Sequence, residues 1–314
     1  MKNLLELNYY IYPFSFSFPC TVALVEYFYC QINYGECLNL IHRFIQHWWS
    51  YSSSREKLEL AKLKCLSLII ELKEGALESA ILSGYFAKRV LTGHHESVFL
   101  IETSIHLTLA LIYEMRISHI QLILEHLEYL SEQTMNFEAK LWYYVLSIDA
   151  SMELGCEFLP MSIDFLDQIG KYRQKLTSKS NQQTLLLIYT DCVLSEIYIR
   201  LGHSYESKIH FNQVLYQIKR DRIHLSNIDL RFKRVLLKLI EIQLLHFYHD
   251  QPESNRELFL VHHLNEEFHS LNKSRFFIYQ AYYDRLINDY RRKDQLPIDV
   301  SQIETKEKIA KIFF

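Results

Sequence analysis

Apolar residues recur at helical spacing along most of the chain, in blocks of about 15 to 25 residues that polar residues and glycines separate. Blocks of this length need tertiary packing, because intrinsic propensity alone gives only marginal helices. The pattern therefore predicts a chain of packed helices. They are expected over residues 22–32, 36–50, 55–73, 76–91, 96–114, 117–131, 135–154, 159–176, 182–200, 204–220, 228–249, 254–271, 274–291 and 301–313.

The predicted hairpin around Gly202 carries small and aromatic residues in a defined order. Ser195 and Tyr198 lie in its first helix, and Ser207 and Phe211 lie in its second. Small side chains let crossed helices approach, and the rings fill the space around them. The order is similar to that of a tetratricopeptide hairpin, although serine replaces the usual glycine and alanine and the closing proline is missing.

A second predicted hairpin repeats part of this pattern. Ala80, Gly84 and Ala87 follow Gly75 at the offsets at which small and apolar residues follow Gly202. Because all three are small, we expect a close helix crossing there without an aromatic filler. Elsewhere the repeat is degenerate, so the array is inferred from helix pairing and not from a strict period.

Several predicted turns contain residues that begin or end helices. Serines at 52–54 and residues 178–181 are candidate N-caps. Glycines at the ends of helices are expected to take the left-handed conformation that stops a helix. These glycines are Gly35, Gly75, Gly93, Gly155 and Gly202.

The N-terminal segment 7–25 contains no charged residue and approaches the length of a membrane span. Pro13 and Pro19 make it a poor transmembrane helix, and it has neither the basic start nor the small-residue cleavage site of a secretory signal. Alternation of Phe and Ser over residues 14–18 favours an extended conformation. We expect an irregular aromatic lead-in and no stable membrane span.

Composition favours one elongated helical protein. The 314 residues include only 7 Gly and 5 Pro, and no proline lies between Pro160 and Pro252. We predict an all-α, tetratricopeptide-like α-solenoid of antiparallel helix hairpins. Its parts are residues 1–54 as the aromatic lead-in and first hairpin, 55–220 as helical repeats, and 221–314 as C-terminal repeats or capping helices.

Charge and cysteine content argue against several function classes. A net charge of −3 and a pI near 6.6 give no argument for nucleic acid or acidic lipid. The basic run over residues 219–238 contains Asp221 and Asp229, so we expect a solvated junction there. The six cysteines form no CxxC pair, which predicts buried, reduced thiols in a cytoplasmic protein. Cys30 and Cys37 are the one redox-compatible pair, since residues seven apart can share a helix face. Gly35 lies between them and makes a continuous helix less favourable.

No catalytic, cofactor or metal motif is present in the sequence. Glycine-rich phosphate loops, GxSxG, HExxH and kinase signatures are missing. No Cys or HxxxH partner completes the histidine groups, so we expect surface or interhelical histidines. The carboxylate pairs are expected to lie on solvated helix faces. The groups considered are His94 with His95, His246 with His249, His262 and His263 with His269, Glu125 with Glu128, and Glu266 with Glu267.

Consecutive aromatic residues face different sides of a helix. We therefore expect Trp142 to enter the core, while its neighbours cap a seam between helices. The predicted groove or partner contacts are Tyr143, Tyr144, Tyr282 and Tyr283.

Three segments carry a resemblance: YFAKRVLTG at 85–93, EHLEYLSEQ at 125–133 and EAKLWYYVLSIDASMELG at 138–155. Together they resemble the C-terminal helical-repeat region of soluble adenylate cyclase (type 10), over roughly residues 56–219. The resemblance implies a cytosolic enzyme with two cyclase modules, an NTPase-like module and a long helical tail. This sequence contains none of the catalytic or nucleotide-binding residues, so the resemblance implies a tail alone: a truncated isoform, a diverged paralogue or a fragment.

Two functions follow as expectations. In the first, the chain is a non-catalytic, cytoplasmic interaction or regulatory protein that needs no cofactor and contacts an unidentified protein or peptide. In the second, it belongs to a bicarbonate-responsive adenylate cyclase whose catalytic modules are not in this sequence.

Overall fold

The computed structural model describes residues 13–94, 96–114, 116, 119–154, 159–176 and 181–220. Within these ranges the chain forms ten α-helices and no strand, so the predicted all-α class is confirmed. The helices predicted beyond residue 220 lie outside the described residues. The ten are α1 (Phe14–Cys30), α2 (Tyr34–Trp48), α3 (Ser54–Glu74), α4 (Leu77–Gly93), α5 (Ser97–Tyr113), α6 (Ile120–Gln133), α7 (Phe137–Leu154), α8 (Leu159–Lys175), α9 (Asn181–Arg200) and α10 (Ser204–Arg220).

Local capping sets both ends of α3. The Ser53 side chain accepts a hydrogen bond from the Glu56 backbone, and the Glu56 carboxylate accepts one from the Ser53 backbone at 2.7 Å, which forms a capping box. At the other end, Gly75 takes the left-handed conformation with φ 77°. Gly202, between α9 and α10, has φ 85°. The serine cap and these two glycine stops are confirmed.

Two other predicted glycine stops are wrong. Gly35 is the second residue of α2, because Asn33 caps that helix by accepting a hydrogen bond from the backbone of Glu36. The left-handed residue in this turn is Ile32, with φ 58°. Gly93 is the last residue of α4, and its φ is not positive. Gly155 lies outside the described residues.

The expectation of an extended segment over residues 14–18 is also wrong, because α1 begins at Phe14. Phe14 and Phe18 are four residues apart, and in a helix their rings stack at 5.3 Å. Both then reach Phe44 of α2, at 5.7 and 6.0 Å between ring centroids. This packing outweighs the local strand-like alternation. The helix also continues through Pro19, which lies inside it.

The chain divides into two compact units after Leu130, within α6. In the first unit, α1 packs on α2, α2 on α3, α3 on α4, and α4 on α5; α3 also packs on α5. Helix α5 is buried on all sides, with an unbroken run of buried residues from Thr103 to Ile112. A helix that is apolar all round belongs in the interior, so α3 and α5 form the centre of this unit.

In the second unit, α7 packs on α8, and α9 packs on α7, α8 and α10. The α9–α10 contact is centred on Ser195 and Ser207, which are fully buried. Each hydroxyl donates to the backbone carbonyl of the other residue, at 2.8 and 2.6 Å. The predicted close approach of these two serines is confirmed. The approach also satisfies both hydroxyls, which would be costly to bury alone.

Gly84 marks a second close approach, between α4 and α5. A Cβ atom added to Gly84 would lie 2.9 Å from Leu107 Cδ1 and 3.3 Å from Leu107 Cβ. Leu107 is fully buried, so it has little room to move. Ala80 and Ala87 on the same helix are also fully buried, as the small residues of this hairpin predicted.

We expect Gly84→Ala to lower the free energy of unfolding by about 1–3 kcal/mol, because the added methyl group overpacks the contact with Leu107. Gly93→Ala, in the last turn of the same helix, is the matched control, since nothing lies within 4 Å of its added Cβ. That change should raise the free energy of unfolding by about 0.4–1 kcal/mol, because alanine loses less backbone freedom on folding than glycine does. Urea unfolding of both variants measures the difference. Equal effects of the two substitutions would show that the Gly84 contact is not tight.

The described cysteines have free thiols, and they fall into two groups. Cys37, Cys65 and Cys192 are buried, whereas Cys20 and Cys30 are exposed. Burial raises the pKa of Cys37 to about 11, and the Cys37 thiol donates to the carbonyl of Val25 at 3.4 Å. Burial likewise raises the pKa of Cys65 to about 11. The expectation of buried thiols is thus right for three cysteines and wrong for Cys20 and Cys30; Cys156 lies outside the described residues.

At pH 8 a thiol with a pKa near 11 is only about 0.1% thiolate, which is the reactive form. We therefore expect iodoacetamide to label Cys20 and Cys30 at least about tenfold faster than Cys37 and Cys65. Peptide mapping by mass spectrometry of the native protein, with urea-unfolded protein as the control, measures each rate. Labelling of Cys37 as fast as Cys30 would contradict the packing of α1 on α2.

Candidate functional site

The first polar centre is the buried carboxylate of Glu71, which is 1% exposed at the meeting point of α2, α3 and α4. Ser67 and Ser79 donate to its Oε1 at 3.0 and 2.9 Å. His42 Nε2 lies 3.2 Å from the same oxygen, and the Lys64 ammonium lies 4.0 Å away. One carboxylate thus joins side chains from three helices.

Burial raises the pKa of Glu71, but the hydrogen bond from His42, the charge of Lys64 and the hydrogen bond from Ser79 together lower it below its ordinary value. These residue types are those of a Ser–His–acid triad, but the geometry differs. In a triad the serine and the acid contact different ring nitrogens. Here Ser67 Oγ and Glu71 Oε1 both lie near His42 Nε2, at 3.3 and 3.2 Å. This arrangement suits helix packing and does not activate Ser67.

Glu71→Gln should destabilise the protein by about 1–3 kcal/mol at neutral pH, because the network loses a charged acceptor. The folded-state pKa of Glu71 is lowered, so its stabilisation is present above the unfolded pKa. That stabilisation is lost as pH falls through the folded pKa. The difference from wild type, measured by urea unfolding, should therefore stay constant above the ordinary pKa of 4.5 and shrink as the pH falls below it.

Glu125→Gln is the control for this prediction, because Glu125 is exposed and accepts a hydrogen bond from Gln121 on its own helix. That change should remain within about 0.5 kcal/mol at every pH. A pH-independent effect of Glu71→Gln would show that the charge of Glu71 does not stabilise the fold.

The second polar centre is Asp191 of α9, which is fully buried. Arg173 of α8 binds both of its oxygens, at 2.5 and 2.7 Å, and His210 Nδ1 of α10 lies 2.8 Å from Oδ1. The His210 ring stacks on Tyr198 at 5.6 Å. An aspartate that orients a histidine occurs in many catalytic sites. Among the described residues, however, no serine, threonine or cysteine side chain hydrogen-bonds His210.

Helix α7 turns Trp142 and the two following tyrosines in different directions. Trp142 is 1% exposed, and its ring lies 5.4 Å from Tyr189 of α9, so its expected place in the core is confirmed. Tyr144 is also buried and contacts Phe165 and Tyr172 of α8, at 5.1 and 5.6 Å. The candidate groove residue Tyr144 thus contributes mainly to the seam between α7 and α8.

Tyr143, the other candidate, is half-buried at the same seam, 5.9 Å from Phe165. The ammonium of Lys140 lies 5.3 Å from the Tyr143 ring and 5.6 Å from the Tyr144 ring. Lys140 is 5% exposed and forms an ion pair with Glu132 at 2.7 Å. Its charge is therefore already neutralised within the protein.

The aromatic seam continues to an exposed end, which we call the aromatic edge and define as Phe137, Tyr172 and Lys175. Phe137 is 44% exposed, and its ring lies 6.2 Å from Tyr172. The ammonium of Lys175 lies 4.8 Å from the Phe137 ring and 4.7 Å from the Tyr172 ring. Met135, in the turn before α7, is 80% exposed. Large apolar side chains and a positive charge are thus presented together.

The remaining sequence candidates do not assemble into a site within the part of the chain that is described. That part contains no group of three or more His, Cys, Asp or Glu side chains that could hold a metal ion. His94 Nε2 lies 3.3 Å from Ser54 Oγ, and Glu125 is exposed. Tyr282 and Tyr283, the histidines from 246 onward, Glu266 with Glu267, and the side chains of the basic run at 219–238 lie outside the described residues.

The sequence reasoning missed Phe137, Lys140, Tyr172 and Lys175. A signal for them exists, because Phe137, Lys140 and Tyr144 are three and four residues apart, and Tyr172 and Lys175 are three apart. Such spacings place side chains on one face of a helix. The buried acids also had a signal, since Glu71 and Asp191 interrupt long apolar runs.

No protein-family model, curated protein or solved structure matches this chain. Among the described helices, none combines the length and apolar character that a membrane crossing requires.

Proposed function

We propose that this chain is a non-catalytic helical-repeat protein that acts through protein–protein contacts, and that the aromatic edge is a contact surface. The observation that carries the proposal is the 44% exposure of Phe137, beside Tyr172 and close in sequence to the exposed Met135. Aromatic and methionine side chains are enriched in protein interfaces, and aromatic anchors supply much of their binding energy.

We also propose that the helices form tetratricopeptide-like solenoid segments. Two kinds of contact support this arrangement: consecutive helices pack as hairpins, and helices two apart in sequence also pack, as α3 does on α5 and α7 on α9. Stacked hairpins bury a continuous core through such contacts with near neighbours. The small residues at Ser195, Ser207 and Gly84 fit the same architecture.

The geometry of the two polar centres, around Glu71 and Asp191, favours a binding role over catalysis. Around Glu71, serine and acid lie near the same histidine nitrogen. Around Asp191, the arginine and histidine contacts join three helices. A cytoplasmic setting belongs to the same proposal, and the free thiols of the described cysteines support it.

The relation to soluble adenylate cyclase is a separate proposal that rests on the resemblance of residues 85–93, 125–133 and 138–155. Under this alternative, the chain would associate with catalytic cyclase modules that its own sequence lacks. The two proposals differ in the partner that they predict, so one capture experiment addresses both.

Phe137→Ser should reduce recovery of the partner about tenfold or more, because an aromatic anchor is lost from the contact surface. The full chain, immobilised and exposed to extract of its source cells, is compared with the variant by quantitative mass spectrometry. Tyr51→Ser is the control, since Tyr51 is 80% exposed and lies in the other compact unit. It should recover the same proteins as wild type.

Circular dichroism should show equal helix content in all three proteins. The proposal of a contact at the aromatic edge fails if wild type and Phe137→Ser recover the same proteins in equal amounts. Recovery of a nucleotide cyclase would favour the alternative partner.

A further inference from the structure

Lys175 differs in its surroundings from the other described lysines that rest on aromatic rings. Lys62 lies over Phe99 but also pairs with Glu59 and Glu96, at 3.1 and 3.6 Å. Lys140 pairs with Glu132. In both cases a carboxylate of the same chain neutralises the ammonium group.

Lys73 is held in another way, since its ammonium lies over Tyr29 and donates a hydrogen bond to the Tyr29 hydroxyl. Lys57 lies over the single ring of Trp49, at 5.4 Å. Lys175 lies over two rings, at 4.8 and 4.7 Å, and no carboxylate within the described ranges lies within 4 Å of it. It is also exposed to solvent.

Both rings restrain the Lys175 ammonium, because each attracts the cation through its π face. An ammonium fixed in advance loses less conformational freedom when an anion binds than a freely moving lysine does. The apolar surface of Phe137 lies directly beside it. The edge therefore offers one positive charge next to one exposed ring, 4.8 Å from its centroid.

The nearby charges define what can bind there. Arg173, two residues before Lys175, is occupied by Asp191, and Lys140 is occupied by Glu132. Lys171, one turn before Lys175, is exposed. Among the described residues of α8, the cations available to a partner are therefore Lys171 and Lys175.

We propose that the aromatic edge binds an acidic peptide segment of a partner protein, in which a carboxylate contacts Lys175 and an adjacent apolar side chain packs on Phe137. This inference rests on the proposed interaction function and names the chemistry of the partner. A peptide is favoured over nucleic acid because the described part of this edge presents two exposed lysines, Lys171 and Lys175, and not the dense basic patch that binds a phosphate backbone.

The test uses two fluorescein-labelled peptides, one of glutamates around a central Phe–Leu pair and one with lysine in place of each glutamate. Fluorescence anisotropy with the full chain should show binding of the glutamate peptide only, weakening as salt is added. Lys175→Glu should weaken this binding about tenfold, because it replaces attraction by repulsion. Lys175→Arg should retain it, since arginine keeps the charge and the ring contacts.

Lys57→Glu is the matched control, because it reverses a lysine that also rests on an aromatic ring, in the other compact unit. It should bind the glutamate peptide as wild type does. Four results would overturn the proposal: no binding of the glutamate peptide, equal binding of both peptides, unchanged binding by Lys175→Glu, or tighter binding of single-stranded poly-U RNA.

The result of the peptide-binding experiment can be distinguished from the result of the capture experiment that tests the proposed function. If Phe137→Ser loses its captured partner while the glutamate peptide does not bind, the interaction surface stands and only the acidic nature of the partner is wrong. If capture recovers no partner at all, the proposed function itself fails.

Discussion

The close approach of helices at small side chains is the constraint on which the packing of this protein depends. At Gly84 the backbone of α4 comes so near to Leu107 that a single added carbon would lie 2.9 Å from its side chain. At Ser195 and Ser207 the approach of α9 and α10 lets each hydroxyl reach the other backbone. Larger residues at these points would separate the helices and leave their neighbours loosely packed.

Buried carboxylates add a second requirement to this packing. Taking an ion out of water costs several kcal/mol, so its surroundings must supply donors and opposite charge. Glu71 obtains them from α2, α3 and α4, and Asp191, which lies on α9, obtains them from α8 and α10. The contacts of each carboxylate form only when three helices are correctly placed, which ties the arrangement of one hairpin to that of its neighbour.

The same helices place the aromatic residues at the seam between α7 and α8. The inner part of the seam is buried and neutral, since Tyr144 is covered and Lys140 is paired with Glu132. At its outer end Phe137 remains exposed, and Lys175 lies over the rings of Phe137 and Tyr172. An exposed ring beside a positive charge is the feature on which the proposed contact surface rests.

Much of the fold follows from local sequence. Helical periodicity, the Ser53 capping box and the left-handed Gly75 and Gly202 place most described helix ends within a few residues of the prediction. Small residues at Gly84 and Ser195 marked where helices approach closely. These features are local, since they depend on backbone conformation and on residue size.

Tertiary structure decided what local patterns left open. Residues 14–18 alternate as a strand does, yet Phe14 and Phe18 form a helix because their rings pack on Phe44. Tyr143 and Tyr144 both lie at the seam beside Phe165, where Tyr144 is buried and Tyr143 is half-buried. Sequence alone established long helices with small residues at crossing points, since both depend on neighbours in the chain. Which charges are neutralised and which rings stay exposed depended on residues far apart in sequence, so only the folded chain determined the aromatic edge.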